Sequence, residues 1–113
     1  MKLPHHTQAI FSRRKIVDYL LSATHPWGKH KAEWFAAFGF SSENWETLAR
    51  ALRRHAAGHD VAKTETTPFG VRYVVEGIME MPNGMLPRVR TVWFVEEGDD
   101  TPQFVTAYPL KGE

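Results

Sequence analysis

Residues Trp45 to Thr66 read WETLARALRRHAAGHDVAKTET, and the fold turns on what changes inside them. Trp45, Leu48, Ala49, Leu52 and Ala56 recur at three- and four-residue intervals, the stripe of an amphipathic helix. Gly58 supplies a C-terminal stop. Beyond it the period drops to two, the repeat of a strand that shows alternate side chains to opposite faces. The chain therefore changes from helix to sheet at Gly58.

Downstream, Val61 to Thr66 is a first strand, and Thr67-Pro68-Phe69-Gly70 is a turn. In a second strand Val71, Tyr73 and Val75 alternate with Arg72, Val74 and Glu76. Met81-Pro82-Asn83-Gly84 is the strongest turn signal in the chain. Val89 to Glu97, VRTVWFVEE, is β-branched and aromatic, as a central strand requires. Glu97-Gly98-Asp99-Asp100 turns the chain into a last strand, Gln103 to Tyr108. Short loops between successive strands imply an antiparallel meander.

Upstream, Ser41-Ser42 are candidate caps for the helix that ends at Gly58. A helix from about Lys29 to Phe38 stops at Gly39. Another begins at the N-cap Ser12, stapled by Phe11 and Ile16, and runs to about Ala23, before Thr24-His25-Pro26 breaks it. The predicted fold class is α+β: about three N-terminal helices packed on one face of a four-stranded antiparallel sheet. The expected organisation is a single domain, 1–113, with an arm at 1–11, a helical half at 12–58 and the sheet at 60–110.

The 113 residues suffice for one domain, and 42% of them are hydrophobic, including four Trp, seven Phe and three Tyr. The absence of cysteine removes disulfides, thiolate metal sites and thiol nucleophiles, and fits a reducing compartment. No apolar run is long enough to span a membrane, and the first residues have no signal-peptide core. The expected location is the cytoplasm, or a target cell's cytoplasm after delivery as part of a larger toxin. Net charge is +1, but residues 1–56 hold nine Lys/Arg against four Asp/Glu, and residues 57–113 five against nine. The helical half at +5 and the sheet half at −4 suit either an anionic ligand over the helices or two solvated faces of opposite sign.

On a helical wheel Trp34, Phe35 and Phe38 mark one buried face; Lys31 falls within it and His30 on its margin. Lys31 either snorkels past the first turn or sets a cation beside a titratable imidazole at a pocket rim. Arg88 and Arg90 share a face with Val92 and Phe94, while Phe104, Thr106 and Tyr108 share a face of the last strand. One register brings Arg90, Thr106 and Tyr108 together; the alternative is plain cross-strand pairing of arginine with Glu76 or Glu96. His55 and His59 straddle Gly58, and there is no His-Glu-x-x-His motif, no phosphate-binding glycine loop and no Gly-x-Ser-x-Gly elbow. Neither a metal nor another cofactor is expected.

Three segments together resemble a known family: His25-Pro26-x-Gly28-Lys29-His30-Lys31 with Phe38-Gly39-Phe40, Val89-Arg90-Thr91-Val92-Trp93, and Val105-Thr106-Ala107-Tyr108-Pro109. The family consists of small bacterial domains of uncharacterised role that also look like a C-terminal module of polymorphic toxins. Its layout is similar to the barnase–EndoU–colicin–RelE superfamily of RNA-cleaving toxins. The resemblance implies a metal-independent endoribonuclease in which the 2′-hydroxyl attacks phosphorus to leave a cyclic phosphate. It implies His30, Lys31, Arg90, Thr106 and Tyr108 as catalytic residues, with Arg13, Arg14, Lys29 and Arg88 binding RNA. The implied partners are RNA (tRNA or mRNA) and a cognate antitoxin or immunity protein, with no membrane. Two other functions stand beside it. One is a non-catalytic interaction module whose acidic Glu96-Glu97-Gly98-Asp99-Asp100 hairpin meets a basic partner. The other is RNA binding without cleavage through Arg13, Arg14, Lys15, Arg50, Arg53 and Arg54.

Overall fold

Four strands follow one another across an antiparallel sheet: β1 (Val61–Thr67), β2 (Gly70–Ile78), β3 (Arg88–Glu96) and β4 (Gln103–Pro109), in that spatial order. This computed structural model describes residues 1–12, 14, 16 and 29–110, and only the backbone at Lys29, His30, Lys31 and Ser42. Each hairpin is closed by its own turn chemistry. Thr67 Oγ1 donates to Gly70 O at 2.9 Å, Met85 N–H donates to Asn83 Oδ1 at 3.0 Å, and Asp100 N–H donates to Asp99 Oδ1 at 2.7 Å. Gly70 opens β2 at φ +150°, where a Cβ would stand 2.2 Å from Val95 O, so this close strand approach admits only glycine.

Among the described residues two helices precede the sheet, α1 (Lys29–Ala37) and α2 (Trp45–Gly58). From α2, Leu48, Ala51, Leu52, His55 and Ala56 are buried. Leu48, Ala51, Leu52 and Ala56 join Val75, Val89, Trp93, Phe104 and Ala107 of the sheet in one apolar cluster, which fixes α2 over that sheet face. Trp93 has no exposed surface, and its ring meets Phe11 and Phe104 edge-on, each with centroids 5.5 Å away. Phe35 of α1 is equally buried, with Trp34 packed edge-on at 5.0 Å.

The expectation of about three helices is corrected. Among the described residues, α2 is the single long amphipathic helix, joined by the nine-residue α1 and by 3-10 turns at His6–Gln8 and Ser42–Asn44. Residues 41–44 do not start α2 as expected. The Ser41 N–H donates to Asn44 Oδ1 at 2.8 Å and the Asn44 N–H returns a bond to Ser41 O at 3.2 Å, closing a tight turn before the α geometry begins. The helix expected over 12–23 lies outside the described residues apart from Ser12, Arg14 and Ile16; there the Ile16 N–H donates to Ser12 O at 3.2 Å.

Residues 1–11, expected as an arm, lie against the sheet and the core. Leu3 and Ala9 are buried, Val61 N–H donates to Met1 O, and Ile10 forms an isolated parallel bridge with Gln103 of β4. Among the described residues no helix is long and apolar enough to cross a membrane.

Candidate functional site

The register of β2, β3 and β4 puts Glu76 opposite Arg90 and Arg90 opposite Tyr108. Alternation along β3 sends Val89, Thr91 and Trp93 toward α2, so Arg90, Val92 and Phe94 point to the other face. A bulge in β4 decides which side chains join them. Val92 pairs with Thr106, but Trp93 pairs with Phe104, so Val105 is the extra residue. The expectation that Phe104, Thr106 and Tyr108 share one face is thereby corrected. Phe104 turns into the core against Trp93, whereas Thr106 and Tyr108 stay on the face of Arg90.

On that face Arg90 is held from both sides. Its Nε donates to Glu76 Oε2 at 2.6 Å and its Nη2 to the same oxygen, while Nη1 donates to Tyr108 Oη at 3.0 Å. The guanidinium carbon also stands 5.5 Å from the Tyr108 ring centroid, within cation–π range. The bond to Tyr108 and then the bond to Glu76 raise the Arg90 pKa above its ordinary value, so the cation persists at any working pH. Nη1 and Nη2 each carry a second N–H. The result is an oriented, permanently charged fork with Tyr108 at its side, a geometry suited to phosphate oxygens. Arg72, also on this face, pairs with Glu65 at 2.8 Å as an ordinary cross-strand ion pair.

Of the residues predicted from sequence, the structure brings Arg90 and Tyr108 into contact and sets Thr106 on their face, opposite Val92. Arg88 lies two residues from Arg90 at the sheet end, exposed and opposite Ile78. Arg14 is exposed and is not joined to Arg90 by any described contact. The α1 backbone carries Lys29, His30 and Lys31, but their side chains, and all of Arg13, lie outside the described residues. Glu76 is the member the sequence reading named only as a pairing partner. Its signal was the strand alternation that places it on the face away from Val75.

A second polar centre lies under α2. His55, 3% exposed, sets Nε2 2.9 Å from Val89 O and 3.2 Å from Gly77 O, and Nδ1 3.2 Å from Thr91 Oγ1. Thr91 Oγ1 in turn accepts the Trp93 indole N–H at 2.9 Å. The chain of bonds assigns a neutral ring with the proton on Nε2. Burial lowers the His55 pKa to about 4, reinforced by His59, against the raising effect of the carbonyls. His59 Nε2 lies 2.7 Å from Ile78 O. Both rings thus spend Nε2 on backbone carbonyls and tie the end of α2 to β2. No group of three or more metal-ligating side chains occurs among the described residues.

The profile of a family described as a domain of unknown function, DUF6883, matches residues 2–111, and the chain belongs to that family. No curated protein matches it. Among solved structures, one described as a contact-dependent growth inhibition toxin–immunity protein complex from Klebsiella pneumoniae 342 holds a similar chain. The two are 18% identical with a TM-score of 0.74, and the match covers 95% of this chain and 97% of that one. At that identity the likeness is one of fold.

Proposed function

We propose that this member of the DUF6883 family is a toxin-type domain that cleaves RNA without a metal and is restrained by a cognate immunity protein. The observation that carries the reading is the Arg90 guanidinium clamped between Glu76 and Tyr108 on the sheet face away from α2. A solved neighbour of the same fold stands in a toxin–immunity complex, which supports a toxin or immunity role and a protein partner.

RNA carries its own nucleophile. The 2′-hydroxyl attacks the adjacent phosphorus and loses its proton to a base; the bond from phosphorus to the 5′-oxygen breaks, and that oxygen takes a proton. The products are a 2′,3′-cyclic phosphate and a 5′-hydroxyl. Arg90 holds the phosphate oxygens as charge builds on the phosphorane, and Glu76 positions Arg90. Tyr108 donates the second proton or stacks on a splayed base, and Thr106 orients the phosphate or Tyr108. The family resemblance assigns His30 as base or acid and Lys31 as a second cation. Incubating the domain with tRNA and analysing the new ends tests the reading: 2′,3′-cyclic phosphates support it, and intact RNA contradicts it.

One observation favours a non-catalytic interaction module instead. Glu96, Glu97, Asp99 and Asp100 surround a groove of about 360 Å³, and the neighbouring Phe69, 79% exposed, accepts the Glu97 N–H at its carbonyl at 2.9 Å. An exposed aromatic next to an acidic turn suits docking to a basic protein. In that reading the RNA stays whole.

A further inference from the structure

Arg50, Arg53 and Arg54 fall on one side of α2 at the i, i+3 and i+4 positions. Opposite them lies His6, in the 3-10 turn His6–Gln8. Together with Thr7 and Ala57 these residues line a groove of about 370 Å³, with no carboxylate among its described lining residues. Three like charges this close repel one another, yet among the described residues none of the three arginines has an ion-pair partner. Among the described residues Arg50 reaches Thr47 Oγ1, at 3.3 Å.

Arg53 is fixed rather than mobile. Its Nη2 donates to Ala9 O at 2.9 Å, and its guanidinium carbon lies 5.1 Å from the Phe11 ring centroid. Its Nε is nevertheless buried without a hydrogen-bond partner, and so is His6 Nδ1 across the same groove. Buried polar atoms without partners are uncommon in folded proteins, and each calls for a reason. The Arg53 Nε–H lacks an acceptor, and His6 Nδ1 lacks a partner for whichever role, donor or acceptor, its tautomer gives it. Ala57 lines the groove beside the charges.

We infer that this groove is a second, non-catalytic phosphate site, which holds a backbone phosphate and its sugar from a single-stranded stretch of RNA. Only the choice of RNA as the source of phosphate rests on the function proposed above. The site lies on α2, and Arg90 points away from α2 on the other side of the sheet, so the two bind separate phosphates.

The test uses a 2′-O-methyl RNA strand, which lacks the nucleophile and is bound without being cut. Arg50 and Arg54 are exposed, so Arg50→Gln with Arg54→Gln leaves the core intact, and circular dichroism checks the fold. Removing two phosphate contacts should weaken binding about tenfold or more at low salt and reduce the slope of log K against log salt by roughly 1.4. Inorganic phosphate should shift the His6 ring resonances by NMR in the wild type and in Arg90→Ala, while chloride at equal ionic strength should not. His6→Gln, a second variant, should also weaken the RNA strand. Unchanged affinity and slope in the double variant, or a His6 ring indifferent to phosphate, would overturn the inference. A wild type that binds the strand through this groove but cuts no RNA would keep it and remove the cleavage reading.

Discussion

Arg90 and Tyr108 face each other across β3 and β4, and the guanidinium both donates to the phenol oxygen at 3.0 Å and lies 5.5 Å from the ring centroid. Tyr108 therefore orients the cation that the proposed chemistry depends on. Tyr108→Phe should keep the ring contact and lose the hydrogen bond, at about 0.5–1.5 kcal/mol in stability. Cleavage should slow by a larger factor than that loss of stability explains. Parallel urea melts and RNA-cleavage rates check this, and a variant that cuts at the wild-type rate removes Tyr108 from the site.

Arg90→Ala should separate function from folding. The Glu76–Arg90 pair is partly exposed, with side chains at 26% and 35%, so its loss should cost only about 0–1 kcal/mol, with about 0.5–1.5 kcal/mol more for the lost bond to Tyr108. Losing a preorganised donor to the phosphorane should lower the rate about 10²–10³-fold. A variant that loses both structure and activity would instead make Arg90 a folding residue.

His55 predicts a pH dependence of stability. Its folded pKa of about 4 lies below the 6.5 of an unperturbed histidine, so between those values the unfolded chain binds a proton that the folded chain refuses. Stability should thus be complete above about pH 6.5 and be lost as pH falls toward 4, by on the order of 3 kcal/mol in all. His55→Gln should flatten the pH profile between those limits relative to the wild type. Identical profiles for the two proteins would contradict the assignment of a buried neutral ring.

Gly77 and His59 form a steric pair. A Cβ on Gly77 would stand 2.5 Å from His59 ring atoms, and swinging the ring away breaks its 2.7 Å bond to Ile78 O. Gly77→Ala should destabilise the fold by about 1–3 kcal/mol. His59→Ala should recover part of that in the double variant, as a double-mutant cycle would show. Additive effects would mean that the ring is not the obstacle.

The sheet was legible because its signals are local. Period-two patterning and the turns at 67–70, 81–84 and 97–100 mark each strand to within about two residues. The site was half legible. Arg90 and Tyr108 stand out by residue type, but their pairing depends on the bulge at Val105, which no local pattern announces. The same bulge explains why Phe104, expected beside Thr106, is a core residue. The helical half was harder. Ser41 and Ser42 resemble caps, and only the bond from Ser41 to Asn44 shows a 3-10 turn delaying α2 to Trp45. His55 lies seven residues after Leu48 on the apolar stripe, a signal of burial that its spacing to His59 obscured.

The most direct measurement of the central claim is RNA cleavage by the wild-type domain in excess EDTA, with a DNA strand of the same sequence as control and with the product ends identified. A metal-free ribonuclease should show undiminished cleavage of tRNA or total RNA, 2′,3′-cyclic phosphate and 5′-hydroxyl ends, intact DNA, and loss of cleavage in a folded Arg90→Ala variant. RNA left whole by a folded wild-type domain, or cleavage that disappears on chelation, would contradict the claim.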